Sequence, residues 1–89
     1  MNSTERLQYL INFLDLKAKD LESRTGIDRD RWNNLRRPKP VAKIRLEEAE
    51  AISSLYPEYS LWLISGITAP EAGQISPDME EIREKLGKA

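Results

Sequence analysis

Leu16-Lys17-Ala18-Lys19-Asp20-Leu21-Glu22-Ser23-Arg24-Thr25-Gly26-Ile27-Asp28-Arg29-Asp30-Arg31-Trp32-Asn33-Asn34-Leu35-Arg36-Arg37 is the stretch whose reading decides the fold. Its first third is a short polar helix, residues 17–24, with Leu21 as its main apolar contact. Thr25-Gly26 stops that helix, because glycine tolerates the left-handed conformation that commonly ends one. Ile27 follows as a buried hinge residue. Asp28 then makes a good N-cap, and Trp32 and Leu35, three apart, give the segment over about 29–36 a narrow apolar stripe through charge. Arg37-Pro38-Lys39-Pro40 ends this helix and leaves a stiff basic strap, since proline lacks the amide a helix needs and pushes the preceding residue into an extended conformation.

Working outward, Leu7, Leu10, Ile11 and Leu14 follow the i, i+3, i+4, i+7 spacing of one buried helix face, capped by Ser3 or Thr4, which predicts a helix over 4–14. Leu46, Ala49, Ile52 and Tyr56 mark another from residue 42 or 43 to 56, terminated by Pro57, with Glu47, Glu48 and Glu50 on its exposed face. Residues 58–66 form a short, nearly all-apolar helix that closes the core, with Gly66 in the stop position. Thr68 to Ser76, which contains Pro70 and Gly73, has no helical period and reads as an extended connector. Ser76-Pro77 opens a last helix on which Met79, Ile82 and Leu86 form a stripe, one that packs either on its own domain or on a second copy. The expected fold class is all-α, with residues 1–67 as one five-helix domain and 68–89 as connector and C-terminal helix.

Composition removes several function classes. The 89 residues suit one domain and one core. No apolar run approaches the roughly 20 residues a bilayer span requires, and Met1-Asn2-Ser3-Thr4-Glu5 lacks the order of a signal peptide. A cytoplasmic protein of the bacterial cytosol, associated with the nucleoid, is expected. Without cysteine or histidine, no ordinary zinc site assembles and the common nucleophile and proton shuttle are missing. The four glycines are too scattered to cradle phosphate. No enzyme, cofactor, metal or small-molecule ligand is expected.

The net charge of −1 conceals a strong asymmetry. Residues 17–45 hold ten Lys/Arg against four Asp/Glu, net +6, whereas residues 46–89 hold three against nine, net −6. A basic module is thus set against an acidic remainder that can repel phosphate elsewhere, in the manner of a protein aimed at nucleic acid, with an ordinary solvated charge mixture as the alternative. Two short helices joined by a glycine turn, the second charged outside, are the helix-turn-helix plan, in which one α-helix fits the major groove of DNA.

The spacing from Leu16 to Asp28 resembles that of the phage repressor and Cro family of regulators. Trp62-Leu63-Ile64-Ser65-Gly66, followed by Pro70-Glu71-Ala72-Gly73-Gln74-Ile75-Ser76-Pro77, resembles the end of small phage- and bacterium-encoded members. The resemblance covers about residues 4–77 and implies a phage-repressor-like DNA-binding domain with the motif on its second and third helices. Three positions depart from the pattern. Glu22 replaces a small residue, Thr25 an apolar one, and Ala18 a glutamine that touches DNA; a glutamate at position 22 is expected to snorkel outward from the helix crossing.

The resemblance further implies that Arg29, Asp30 and Asn33, with Arg31 beside them, read bases and that Arg37 contacts the phosphate backbone; Lys17, Lys19, Arg36, Lys39 and Lys43 then suit phosphate contacts, and Asn34, grouped with these, suits either role. Leu21, Gly26, Ile27, Trp32 and Leu35 form the motif core. Arginine suits guanine, asparagine adenine, and a carboxylate cytosine N4. A plain solvated face with arginines paired to Asp28 or Asp30, worth about 0–1 kcal/mol, is the alternative for the same residues. The implied function is a sequence-specific double-stranded DNA-binding transcriptional regulator, a repressor acting as a homodimer on a palindromic operator, with Met79, Ile82 and Leu86 as the candidate dimer interface. The competing class is an antitoxin or adaptor that uses this fold to bind a protein; RNA binding ranks third, for want of aromatic platforms.

Overall fold

The structure, a computed structural model, describes residues 1–38 and 42–87. Among the described residues six α-helices follow one another: α1 (Ser3–Phe13), α2 (Ala18–Thr25), α3 (Arg29–Arg36), α4 (Leu46–Leu55), α5 (Ser60–Ser65) and α6 (Pro77–Gly87). Single 3-10 turns at Pro57–Tyr59 and Pro70–Ala72 complete the pattern. No strand occurs among the described residues, and the chain is all-α.

Local chemistry sets the ends. Asn2, not Ser3 or Thr4, caps α1, its side chain accepting from the Glu5 amide while the Glu5 carboxylate accepts from the Asn2 amide. Thr4 is thereby freed to accept the Ile44 amide at 2.9 Å, which ties the strap before α4 to α1. Gly26 and Gly66 both end their helices at φ +77°, a backbone state that a β-carbon disfavours. At Gly26 a β-carbon would meet no atom within 4 Å, so the conformation alone selects glycine there.

The core gathers Leu7, Leu10 and Ile11 of α1, Ala18 and Leu21 of α2, Trp32 and Leu35 of α3, Ala49 and Ile52 of α4, and Tyr59, Trp62 and Leu63 around α5. Each large side chain in it contributes roughly 1.5–3 kcal/mol by leaving water. α1 lies across α3 and α5, α2 against α3, and α4 against α5, so the α2–α3 pair is seated on the floor made by α1.

Three expectations change. Helix four starts at Leu46 rather than at residue 42 or 43, and Leu46, counted on the buried stripe, stands 69% exposed as its first helical residue. Glu48, expected on the exposed acidic face, is 1% exposed, because a cation from α3 reaches it. The segment 68–76 is not merely extended: it is a folded clasp. Ala69 and Gln74 pair in an isolated bridge, Gln74 Oε1 accepts the Leu61 amide at 2.9 Å, and its Nε2 donates to the Pro57 carbonyl at 3.0 Å. The Gln74 side chain thus satisfies an orphan donor at the start of α5, as helix N-termini require.

Arg6 is the other long-range tie. Its guanidinium is buried and donates to the carbonyls of Leu63 (2.9 Å), Ile64 (3.0 Å) and Met1 (2.6 Å) and to Ser3 Oγ (3.2 Å). The cation sits where the carbonyls and negative dipole end of α5 emerge. α6 is held more lightly. Tyr9 donates to Asp78 at 2.9 Å and approaches Glu81 at 3.3 Å, while Ile82 and Leu86 remain 59% and 73% exposed. The hydrogen bond to Asp78, reinforced by burial and the two carboxylate charges, pushes the Tyr9 phenol up to about 12. It stays protonated, and a donor, throughout the neutral range.

Candidate nucleic-acid interface

α3 begins at Asp28, whose carboxylate accepts the Asp30 amide at 2.8 Å. Trp32 and Leu35 are fully buried, as their spacing predicts, and this fixes which side of the helix meets solvent. Arg29, Asp30 and Asn33 are exposed, as is Arg37 just past the last turn. Lys17 and Lys19, at the entry to α2, are exposed as well, and Lys17 pairs with Asp15 at 2.7 Å. Lys43 is exposed on the strap before α4. Lys39 lies outside the described residues.

Two of the four sequence-predicted base readers are already engaged within the chain. Arg31, set near the bases by the family resemblance, is turned toward α4: its Nε donates to Glu48 Oε2, and its Nη2 donates to Glu48 Oε1 at 3.0 Å and to the Lys43 carbonyl. Glu48 Oε1 also accepts the Arg45 amide at 2.7 Å. A nearly water-free carboxylate draws the guanidinium away from solvent, so Arg31 fastens α3 to the strap and α4. The reach from residue 31 to residue 48 leaves no local trace in the sequence.

Arg29 is paired on the opposite flank. Glu22 Oε2 accepts the Arg29 amide at 2.8 Å, and Oε1 accepts both Nε (3.0 Å) and Nη2 (2.8 Å) of its guanidinium. The glutamate that departs from the small-residue pattern is therefore bound to the start of α3, with its side chain 33% exposed, rather than loose in solvent. The other departure is explained similarly. Thr25 Oγ1 donates to the Leu21 carbonyl at 2.5 Å and accepts the Ile27 amide at 3.1 Å, building the turn with a hydroxyl where an apolar contact is usual.

Asn34, grouped with the phosphate contacts, accepts the Ala42 amide at 3.0 Å through Oδ1, holding the far end of the strap. Arg36 is half-buried. Arg24, not singled out from the sequence, lies 5.7 Å from the Tyr56 ring centre and donates to its hydroxyl at 3.1 Å. On α6, Met79 is half-buried whereas Ile82 and Leu86 are exposed.

The solved structure of Pf6r, from the filamentous phage Pf6 of Pseudomonas aeruginosa, is similar to this chain at 37% identity, with a TM-score of 0.83 over 98% of this chain and 99% of Pf6r. The chain belongs to the Pf6r family. No protein-family model and no curated protein matches it. The match to Pf6r runs nearly end to end and so takes in the 68–76 clasp and α6. No described helix is long and apolar enough to cross a membrane.

The Glu22–Arg29 pair carries a pH signature. Hydrogen bonds and charge from Arg29 hold the Glu22 carboxyl below its ordinary value of 4.5. A lowered carboxyl stabilises the fold fully above its unfolded value and loses that contribution as pH falls through the folded one. Glu22→Gln is thus expected to melt below the wild type at neutral pH and to approach it as pH is lowered progressively below the ordinary carboxyl value. A gap that stays constant along the whole acid titration, read by circular dichroism, would show that the pair contributes nothing through ionisation.

Proposed function

We propose that this chain is a sequence-specific double-stranded DNA-binding transcriptional regulator, a repressor acting as a homodimer on a two-fold symmetric operator. The observation that carries the reading is α3 itself: Trp32 and Leu35 are sealed in the core, while Arg29, Asp30 and Asn33 stand in solvent on a helix seated against α2, with exposed Arg37 just past its end. The helix-turn-helix arrangement places such a helix in the major groove, with the preceding helix across the backbone. Lys17 and Lys19 at the start of α2, with Lys43 on the strap, are suited to phosphates. Arg31, Asn34 and Glu48 hold α3 and the strap in register and do not themselves read.

The net +6 of residues 17–45 supplies the phosphate-neutralising charge despite an overall −1. Kinship with a phage protein agrees with the resemblance to phage regulators. Ile82 and Leu86 on α6 provide an apolar strip for a second copy, and a dimer that presents both α3 helices on one side of the duplex spans half-sites about 34 Å apart. The reading assigns no catalytic step and places the protein with the nucleoid in the bacterial cytosol.

Selection of bound duplexes from a random library tests the reading, giving motif, symmetry and spacing together. On the selected site Asn33→Ala is expected to cost about 1–3 kcal/mol and to relax one base position, while Lys19→Ala weakens all duplexes alike and lowers the salt slope by about one. Binding that never exceeds the affinity for random sequence would defeat it and favour a protein-binding adaptor.

A further inference from the structure

Glu22 does more than join two helices. Its two oxygens take three N–H groups of one residue: the Arg29 amide at 2.8 Å, Nε at 3.0 Å and Nη2 at 2.8 Å. A guanidinium carries five donors in a fixed plane. With the Nε and near Nη2 donors given to Glu22, the two Nη1 donors and the remaining Nη2 donor are left over. One Nη1 donor and the remaining Nη2 donor form a second, parallel fork on another side of the same plane. Arg29 stays 51% exposed, so water reaches the part of it that Glu22 does not cover.

We propose that Glu22 is a positioning residue that sets base specificity, holding Arg29 so that its outer fork reads guanine at one position of each half-site. The inference rests on the DNA-reading role of α3 and adds to it a second residue and a named base. Guanine offers O6 and N7 as adjacent acceptors on the major-groove edge, and a parallel pair of N–H groups matches them. Adenine places a donor where guanine has O6, and a fixed fork cannot turn away from it. A free arginine gives up its rotamer freedom on binding, whereas one already clamped has lost it beforehand. The clamp also neutralises Glu22, whose bare carboxylate would otherwise repel phosphate.

The base preferences of wild type, Arg29→Ala, Glu22→Gln, Glu22→Ala and the double variant Glu22→Ala/Arg29→Ala, each shown to be helical and cooperatively folded, decide the matter. Wild type is expected to select one guanine per half-site that Arg29→Ala no longer selects. Glu22→Ala should relax that same position by about tenfold, within the roughly 5- to 150-fold of one two-pronged contact, and leave the rest of the motif intact. Glu22→Gln, which keeps one acceptor, should fall between, and the double variant should lose no more at that position than Arg29→Ala. Uniform weakening of all sequences by Glu22→Ala, with guanine retained, would overturn the proposal by making the pair purely structural. A gain in guanine preference would overturn it by showing that Glu22 masks Arg29. A wild type without sequence preference fails the underlying reading before any variant is compared, and the inference falls with it.

Discussion

Glu48→Ala is expected to destabilise the protein by about 3 kcal/mol, the low end of the range for removing one partner of a buried ion pair. The carboxylate is 1% exposed and accepts from Arg31 and from the Arg45 amide. Its removal leaves Arg31 beside the core without a counter-charge. Because the Arg31 side chain keeps 16% of its exposure, some of that charge reaches water, which argues against the upper end. A chain of this length holds about 4–13 kcal/mol in all, so the variant forfeits a quarter or more of its stability and melts roughly 12–24 °C lower. Urea unfolding checks this, with exposed Glu47→Ala as the control expected to stay within about 0.5 kcal/mol of wild type. A Glu48→Ala midpoint equal to that of the control would remove the Arg31–Glu48 fastening from the account of α3.

The second large effect falls on Arg6. Arg6→Ala is expected to cost about 2–3 kcal/mol, since a hydrogen bond to a charged group is worth about 1.5–3 kcal/mol and a buried acceptor left unmatched is penalised further. The Leu63 carbonyl, 2.9 Å from Nε, is the acceptor that loses most, because Leu63 is fully buried. Arg6→Lys should recover only part of the loss: one ammonium cannot reproduce a planar fork that joins the chain before α1 to the end of α5. Gly66 bears on the same spot, for a β-carbon there would lie 3.2 Å from the guanidinium on a backbone that already disfavours one. Full recovery by lysine, measured by thermal melting, would show that charge alone matters at this position.

Legibility in the sequence divides along the same physical line. Leu7, Leu10 and Ile11, Trp32 and Leu35, and the stops at Gly26 and Gly66 were all accessible, because helical period and left-handed caps are written within a few neighbouring residues. The all-α class follows from them. The pairings of Arg31, Glu48 and Arg6 are not legible in this way, because their partners lie far along the chain, and a charged residue announces burial only through the group that neutralises it. The 68–76 segment lacked any periodic signal, since Gln74 works through its own side chain and not through a repeated stripe. At the candidate interface the sequence located the exposed face of α3. It could not divide that face into Arg31, which faces inward to Glu48, Arg29, which is clamped by Glu22, and Asn33, which is exposed.

The slender attachment of α6 bears on how the molecule breathes. Pro77 is its sole buried residue, and residues 81–87 are exposed throughout. Segments with so little covered apolar surface open at small free energies while the rest stays shut, so backbone amides near Leu86 exchange with deuterium long before those of Leu10. A neighbour that covered Ile82 and Leu86 would slow that exchange and lengthen the dwell time of the last helix.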